Sequence, residues 1–221
     1  MSRTIVITGG TGKLGRALAG QLKNDAVVLV ARNAERLKQI AAKTGAEYQA
    51  GDAADPDQAL QAATDILKSH KTVDVLINAS GGWIGGPYEE TAPEDIQQQI
   101  RSNALAPMLF TREIYAAMKE AGAGRIVNVV SQGGFYAERH QAAYAAAKFA
   151  MDGFTKSLAK EAREHGVTVG GIYPGAFGED DDSETTLNVG EIVDAIEFVI
   201  GRKPGVNVPE LGIQAIKYGT D

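Results

Sequence analysis

The 221-residue chain contains no cysteine, one tryptophan and three histidines. The first absence excludes disulfides, thiolate nucleophiles and Cys-ligated metals, so stability must come from packing and hydrogen bonding. His70, His140 and His165 are scattered without metal-ligand spacing, which argues for surface or helix-terminal roles, and no metal is expected. No uninterrupted apolar run approaches the roughly 18 residues of a membrane span, and Ile5-Val6-Ile7 is too brief for a signal-peptide core. Neither membrane insertion nor secretion is expected, and a cytoplasmic setting is compatible with the thiol-free composition. An excess of positive charge is also missing. With 22 Lys and Arg against 28 Asp and Glu, the net charge of −6 gives no global attraction to nucleic acid or an anionic membrane.

What is present fits a folded α/β chain. Hydrophobic residues make up 44% and charged residues 23%, near globular norms, and the length suits one domain spanning 1–221 better than two. Short β-branched runs near 3–8, 26–31, 46–50, 73–78, 124–131, 167–173 and 206–213 read as strands. Between them, segments near 13–23, 33–43, 56–69, 93–118, 140–165 and 189–199 read as the crossover helices that parallel neighbours require. The pattern predicts a Rossmann-type, doubly wound and predominantly parallel sheet of about seven strands. Pro56 and Pro93 suit first-turn positions, where a missing N–H costs nothing. Two connections follow strand C-termini, where open α/β sheets bind ligands. One spans 80–92 and carries four glycines; the other, 174–188, reads as a short substrate loop and carries Glu179-Asp180-Asp181-Asp182.

After the first strand comes Thr8-Gly9-Gly10-Thr11-Gly12-Lys13-Leu14-Gly15, leading into a helix. Gly10, Gly12 and Gly15 form G-x-G-x-x-G in its strand-to-helix setting. Glycines there allow close backbone approach, and the helix N-terminus presents free N–H groups to a pyrophosphate. An NTPase loop is rejected, since Ile7 stands at its first glycine and Leu14 at its Ser/Thr. Lys13 either approaches phosphate or is solvated at the helix start. The second strand ends at Ala31-Arg32-Asn33, without the acidic residue that would bond ribose hydroxyls in an NAD site. Arg32 suits a 2′-phosphate, so NADP(H) is the expected cofactor. The competing reading has Arg32 solvated and Glu35 on the ribose. Asp52, with Ala53 beside it, either holds adenine or caps a turn.

Asn78-Ala79-Ser80-Gly81, Asn103, Ser131, Tyr144-Ala-Ala-Ala-Lys148 and Pro174-Gly175 occur in the order seen in short-chain dehydrogenases/reductases, and the chain resembles that family along essentially its whole length. Two departures stand out. Many members carry T-G-x-x-x-G-x-G, whereas Lys13 here occupies the penultimate glycine position, as in extended or atypical members. Ala176-Phe177 follows Pro174-Gly175 where a threonine is common.

Tyr144 and Lys148 are one helical turn apart on the same face. A free tyrosine titrates near about 10, and a neighbouring ammonium together with an oxidised nicotinamide would favour its phenolate. The resemblance implies that Tyr144 transfers the proton and that Lys148 lowers the Tyr144 pKa and bonds the nicotinamide ribose. It also implies that Ser131 holds the substrate oxygen and that Asn103 holds a water in the proton relay. A buried helical Asn satisfying backbone groups is the alternative for Asn103. Asn78, Ala79 and Ser80 are expected beneath the cofactor, and Pro174 and Gly175 at the nicotinamide edge.

Trp83, Ile84, Tyr88, Phe135, Tyr136 and Phe177 are candidates for an apolar substrate wall, or equally for covering the core or an oligomer contact. The expected activity is NADP(H)-dependent interconversion of a small or medium neutral carbonyl and an alcohol. An NADP(H)-binding regulatory protein with little turnover is the alternative, and an extended-family epimerase ranks last. Helices near 93–118 and 140–165 match those that form dimers in the family, so a homodimer or homotetramer is implied.

Overall fold

The computed structural model describes residues 2–178 and 184–218. The strands are β1 (Thr4–Thr8), β2 (Ala26–Ala31), β3 (Glu47–Ala50), β4 (Val75–Asn78), β5 (Gly124–Val129), β6 (Val167–Pro174), β7 (Phe177–Gly178), β8 (Leu187–Asn188) and β9 (Glu210–Ile213). The helices are α1 (Lys13–Gln21), α2 (Ala34–Thr44), α3 (Pro56–His70), α4 (Pro93–Ile100), α5 (Ala106–Ala121), α6 (Ala142–Ala162) and α7 (Val189–Ile200). Seven strands form one parallel sheet in the order β3-β2-β1-β4-β5-β6-β9, and β7 pairs with β8 apart from it. This is the Rossmann architecture expected from the alternation of apolar runs and helices.

Burial follows position in the sheet. Central β1 and β4 are apolar on both faces and buried at every residue, whereas edge strand β3 is largely exposed. Helices α1, α2 and α7 cover one face through Leu14, Leu18, Leu37, Ile192 and Ile196. Helices α3, α5 and α6 cover the other through Ala62, Ile66, Phe110, Ile114 and Leu158. The chain reverses its winding between β1 and β4, which stay paired through Thr8 and Asn78, so the connections that leave their C-terminal ends run to opposite sides of the sheet and leave a crevice.

The expected helix over 93–118 is three pieces. Between α4 and α5 lies a π turn, Arg101–Leu105, closed by a bond from Ala106 N–H to the Arg101 carbonyl. Pro107 explains it: the residue has no N–H to give the carbonyl of Asn103, and its ring crowds that carbonyl, so the backbone widens. The expected strand at 124–131 ends at Val129, and Ser131 caps a 3₁₀ turn, Gln132–Gly134, by accepting the Gly133 N–H at 3.0 Å. The strand expected at 206–213 is confined to Glu210–Ile213.

Candidate active site

Two connected cavities occupy the crevice. The first, about 640 Å³, is lined by Gly9, Thr11, Gly12 and Lys13, the ends of β2 and β3, and Ala79–Ile84. Gly9 has a left-handed backbone (φ 72°), and a Cβ there would lie 2.6 Å from the Ala79 carbonyl oxygen. A Cβ on Gly15 would strike the Gly9 carbonyl, so this glycine lets α1 start tight against the loop. Gly10 backs onto Leu29, and neither Gly10 nor Gly15 lines a cavity: both build the loop from behind. The N-cap of α1 is Gly12, with no side-chain cap and no acidic residue in the first turn. By contrast, Asn33, Asp55 and Asn188 cap α2, α3 and α7 with their side chains. The open helix end and the adjacent loop thus form a cradle suited to an anion.

Cations ring this cavity. Lys13, Arg16, Arg32, Arg36 and Arg101 line it, and Asp52 is the one carboxylate among the described lining residues. Asp52 accepts the Ala54 N–H at 2.9 Å and pairs with Arg101 at 3.1 Å. Against the upward push of burial, those two partners hold its carboxyl below the usual range. Asp52 thus caps the turn and also ties β3 to the π turn. Ala53 and Asn33 line the cavity; Glu35 does not. Arg36 and Arg101 belong to no sequence motif of the site. A basic residue one turn into α2 was visible, but its direction depends on how α2 leaves the sheet.

The second cavity, about 710 Å³, shares Gly12, Lys13, Ala79–Trp83 with the first and adds Leu14, Asn103, Val129–Ser131, Gln141, Tyr144, Lys148, Pro174–Phe177 and Tyr218. Ser131 and Tyr144 converge around Gly133, whose missing Cβ would lie 3.4 Å from Ser131 Oγ and 3.2 Å from Tyr144 Cε1. Burial pushes the Tyr144 phenol up, partly opposed by its hydrogen bond with Ser131. This differs from the expected depression by Lys148: the buried ammonium lies 5.6 Å from the Tyr144 ring centroid, and burial is what dominates. Lys148 Nζ donates to the Val129 carbonyl at 3.1 Å, and burial draws its pKa down to about 8.

Asn103 lies in the π turn, buried, with Nδ2 donating to the carbonyls of Gly82 at 2.9 Å and Gln99 at 3.1 Å. Its Oδ1 accepts the Gly82 N–H at 3.3 Å, so the side chain clamps the loop after β4. A Cβ on Gly81 would strike Asn103 Oδ1 and lie 3.7 Å from Lys148 Nζ, which brings the three positions together. Asn78 goes elsewhere. Expected beneath a cofactor, it instead donates to Thr111 Oγ1 on α5 at 2.7 Å and to Asn128 Oδ1 on β5 at 2.8 Å, and lines neither cavity. The Ser80 hydroxyl is buried without a hydrogen-bond partner beside both cavities.

Of the apolar wall candidates, Trp83 lines both cavities, Phe177 the second and Ile84 the first, while Phe135 stacks on Tyr173 at 4.0 Å. Tyr88 and Tyr136 are exposed and line neither. Glu179 to Asp182 lie outside the described residues. Gln141 and Tyr218 are additions that no motif signals.

The sequence pattern described as short chain dehydrogenase matches residues 3–187. The chain belongs to the short-chain dehydrogenase family. It is similar to the acetoacetyl-CoA reductase of Allochromatium vinosum, 29% identical over 93% of this chain and 94% of that one. It is also similar to the acetoacetyl-CoA reductase of Shinella zoogloeoides, 30% identical over 80% of this chain and 75% of that one. Among solved structures, a metagenomic short-chain oxidoreductase in complex with NADP is 30% identical with a TM-score of 0.84, covering 96% of each chain. A variant of actinorhodin polyketide ketoreductase with NADPH is 25% identical with a TM-score of 0.88, covering 97% of this chain and 96% of that one. Membership makes this short-chain dehydrogenase an oxidoreductase acting between carbonyl and alcohol. Among its described residues, no helix is long and apolar enough to cross a membrane.

Proposed function

We propose that the chain is an NADP(H)-dependent carbonyl reductase, reversible in principle, in which one domain both holds the dinucleotide and carries the reaction. The observation that carries this reading is the joining of a cation-lined cavity to one lined by Ser131, Tyr144 and Lys148. The residues present fit the cofactor: an uncapped helix end for the pyrophosphate, Arg32 and Arg36 for a 2′-phosphate, and a paired Asp52 that adds little repulsion. When bound, the nicotinamide supplies or accepts the hydride.

Ser131 orients the substrate oxygen through its hydroxyl. Tyr144, kept protonated by burial, gives its phenolic proton to that oxygen as the alcohol forms. Lys148, mostly ammonium at neutral pH, stabilises the resulting phenolate and bonds the nicotinamide ribose. Asn103 receives no helical N–H from Pro107, and its carbonyl holds the relay water. Ala79, Ser80, Pro174 and Gly175 bound the cofactor path. The comparison with acetoacetyl-CoA reductases supports the reductive direction. A homodimer through α4, α5 and α6 completes the reading.

The test is reduction of a neutral ketone, cyclohexanone, followed by loss of NADPH absorbance. Tyr144→Phe is expected to lower kcat by about 10²–10⁴-fold while NADPH binding stays within about twofold. Equal turnover by wild type and Tyr144→Phe would reject the assignment of the proton donor.

A further inference from the structure

The cavity that holds Ser131, Tyr144 and Lys148 is closed on one side by a residue from the end of the described chain. The tail after β9 turns at Ala215, which is buried, through a bond from Tyr218 N–H to the Ala215 carbonyl at 3.0 Å. The turn is pinned to the far side of the post-β6 segment: Lys217 N–H donates to the Glu184 carbonyl at 2.7 Å, and the Lys217 ammonium pairs with the Glu184 carboxylate. Ile213 O accepts the Gly175 N–H at 2.8 Å, so the tail and the end of β6 travel together. Gly175 lets the Tyr218 ring press against it, since a Cβ there would lie only 3.0 Å from Tyr218 Cδ2.

Sheet order fixes where this wall stands. Strands β4, β5 and β6 are consecutive neighbours, and Trp83, Ser131 and Gly175 follow their respective C-termini. Trp83, Ser131 and Tyr218 all line one cavity. Among the described lining residues there is no carboxylate, and the two cations are Lys13 and Lys148. The rest of the wall includes the apolar Leu14, Val129, Val130, Ala176 and Phe177, and Gln141 among its neutral polar groups.

We infer that Tyr218 is the specificity-determining wall of the reaction cavity, and that with Trp83 it selects an alicyclic or aromatic ketone whose bulk it limits. The inference rests on the carbonyl-reductase reading. The phenol of Tyr218 is itself pushed up by burial, with Glu138 adding to the shift, and Tyr144 responds to its charge; both agree with a ring seated in the cavity mouth.

The experiment compares cyclohexanone with the bulkier 1-tetralone in wild type, Tyr218→Ala, Tyr218→Phe and Lys217→Met. It uses kcat/KM with NADPH and, separately, calorimetric titration of each ketone into protein without turnover. Tyr218→Ala is expected to move the tetralone-to-cyclohexanone preference about tenfold or more toward tetralone. Tyr218→Phe keeps the wild-type preference, because the ring remains. Lys217→Met shifts it in the same direction as Tyr218→Ala, but less, by loosening the tail. An unchanged preference in Tyr218→Ala overturns the inference, as does equal behaviour of the Phe and Ala variants. If NADPH supports no turnover while the calorimetric preference still moves in Tyr218→Ala, the reductase reading fails and the wall stands. If neither ketone binds to wild type or variant, the wall has no substrate to select and the inference falls.

Discussion

Lys148 is an ammonium placed where its charge is costly, and that cost is measurable. Its pKa falls from 10.5 to about 8 through burial. Below the folded value both states are protonated and the folded state bears the full penalty; between about 8 and 10.5 the unfolded chain binds more protons, so stability rises with pH. The gain is on the order of 3 kcal/mol across the window. Tyr144 and Tyr173, raised by burial, act in the opposite sense above the usual tyrosine range, so the comparison needs a reference variant. Urea unfolding of wild type and Lys148→Met at pH 7.5 and 9.5 is expected to give a wild-type gain that the variant lacks; parallel changes would contradict the buried-ammonium account. The Tyr144 and Lys148 pair was legible because four-residue spacing on a helix fixes a shared face locally. Asn78 was not, because its strand-end position says nothing of Thr111 and Asn128, which claim its amide from elsewhere in the chain. Tyr218 was invisible for the same reason, since only the tertiary path of the tail brings it to Gly175.

The most consequential element is the π turn between α4 and α5. Sequence periodicity predicts one continuous helix there, but Pro107 carries the opposite signal: an interior proline must release the Asn103 carbonyl. The widened turn carries Asn103, which clamps Gly82, and Arg101, which reaches Asp52, so one irregularity holds the loops of both cavities. Asn103→Ala removes that clamp. The expected result is a loss of about 1–3 kcal/mol in unfolding free energy, with faster amide exchange at Gly82 and its neighbours and unchanged exchange in β1. Undiminished protection of Gly82 would mean that the loop is held by other contacts. Elsewhere, strand and helix existence was legible and the ends were not: Ser131, Glu210 and Gln141 mark boundaries set by turn geometry and edge pairing rather than by apolar pattern.

At the scale of the whole molecule, the strand order places the reversal of winding between β1 and β4, and both cavities open from the strand ends around it. That location follows from the alternation of strands and helices once the order is known. The exposed apolar residues Ile100, Leu105 and Phe149 lie on α4, the π turn and α6, the region proposed for the dimer. Phe149→Asp is expected to shift sedimentation toward monomer without loss of helical signal, and an unchanged distribution would move the interface elsewhere.

The central claim is a short-chain dehydrogenase site built for a phosphorylated dinucleotide, and the chain's single tryptophan reports on it, because Trp83 lines both cavities. Titration with NADPH and with NADH, followed by energy transfer from Trp83 to the reduced nicotinamide, is the direct measurement, repeated with Arg32→Asp. Saturable binding about tenfold or more tighter for NADPH, with that preference lost in Arg32→Asp, is the predicted result. Tighter binding of NADH, or no saturable transfer with either dinucleotide, would contradict the account.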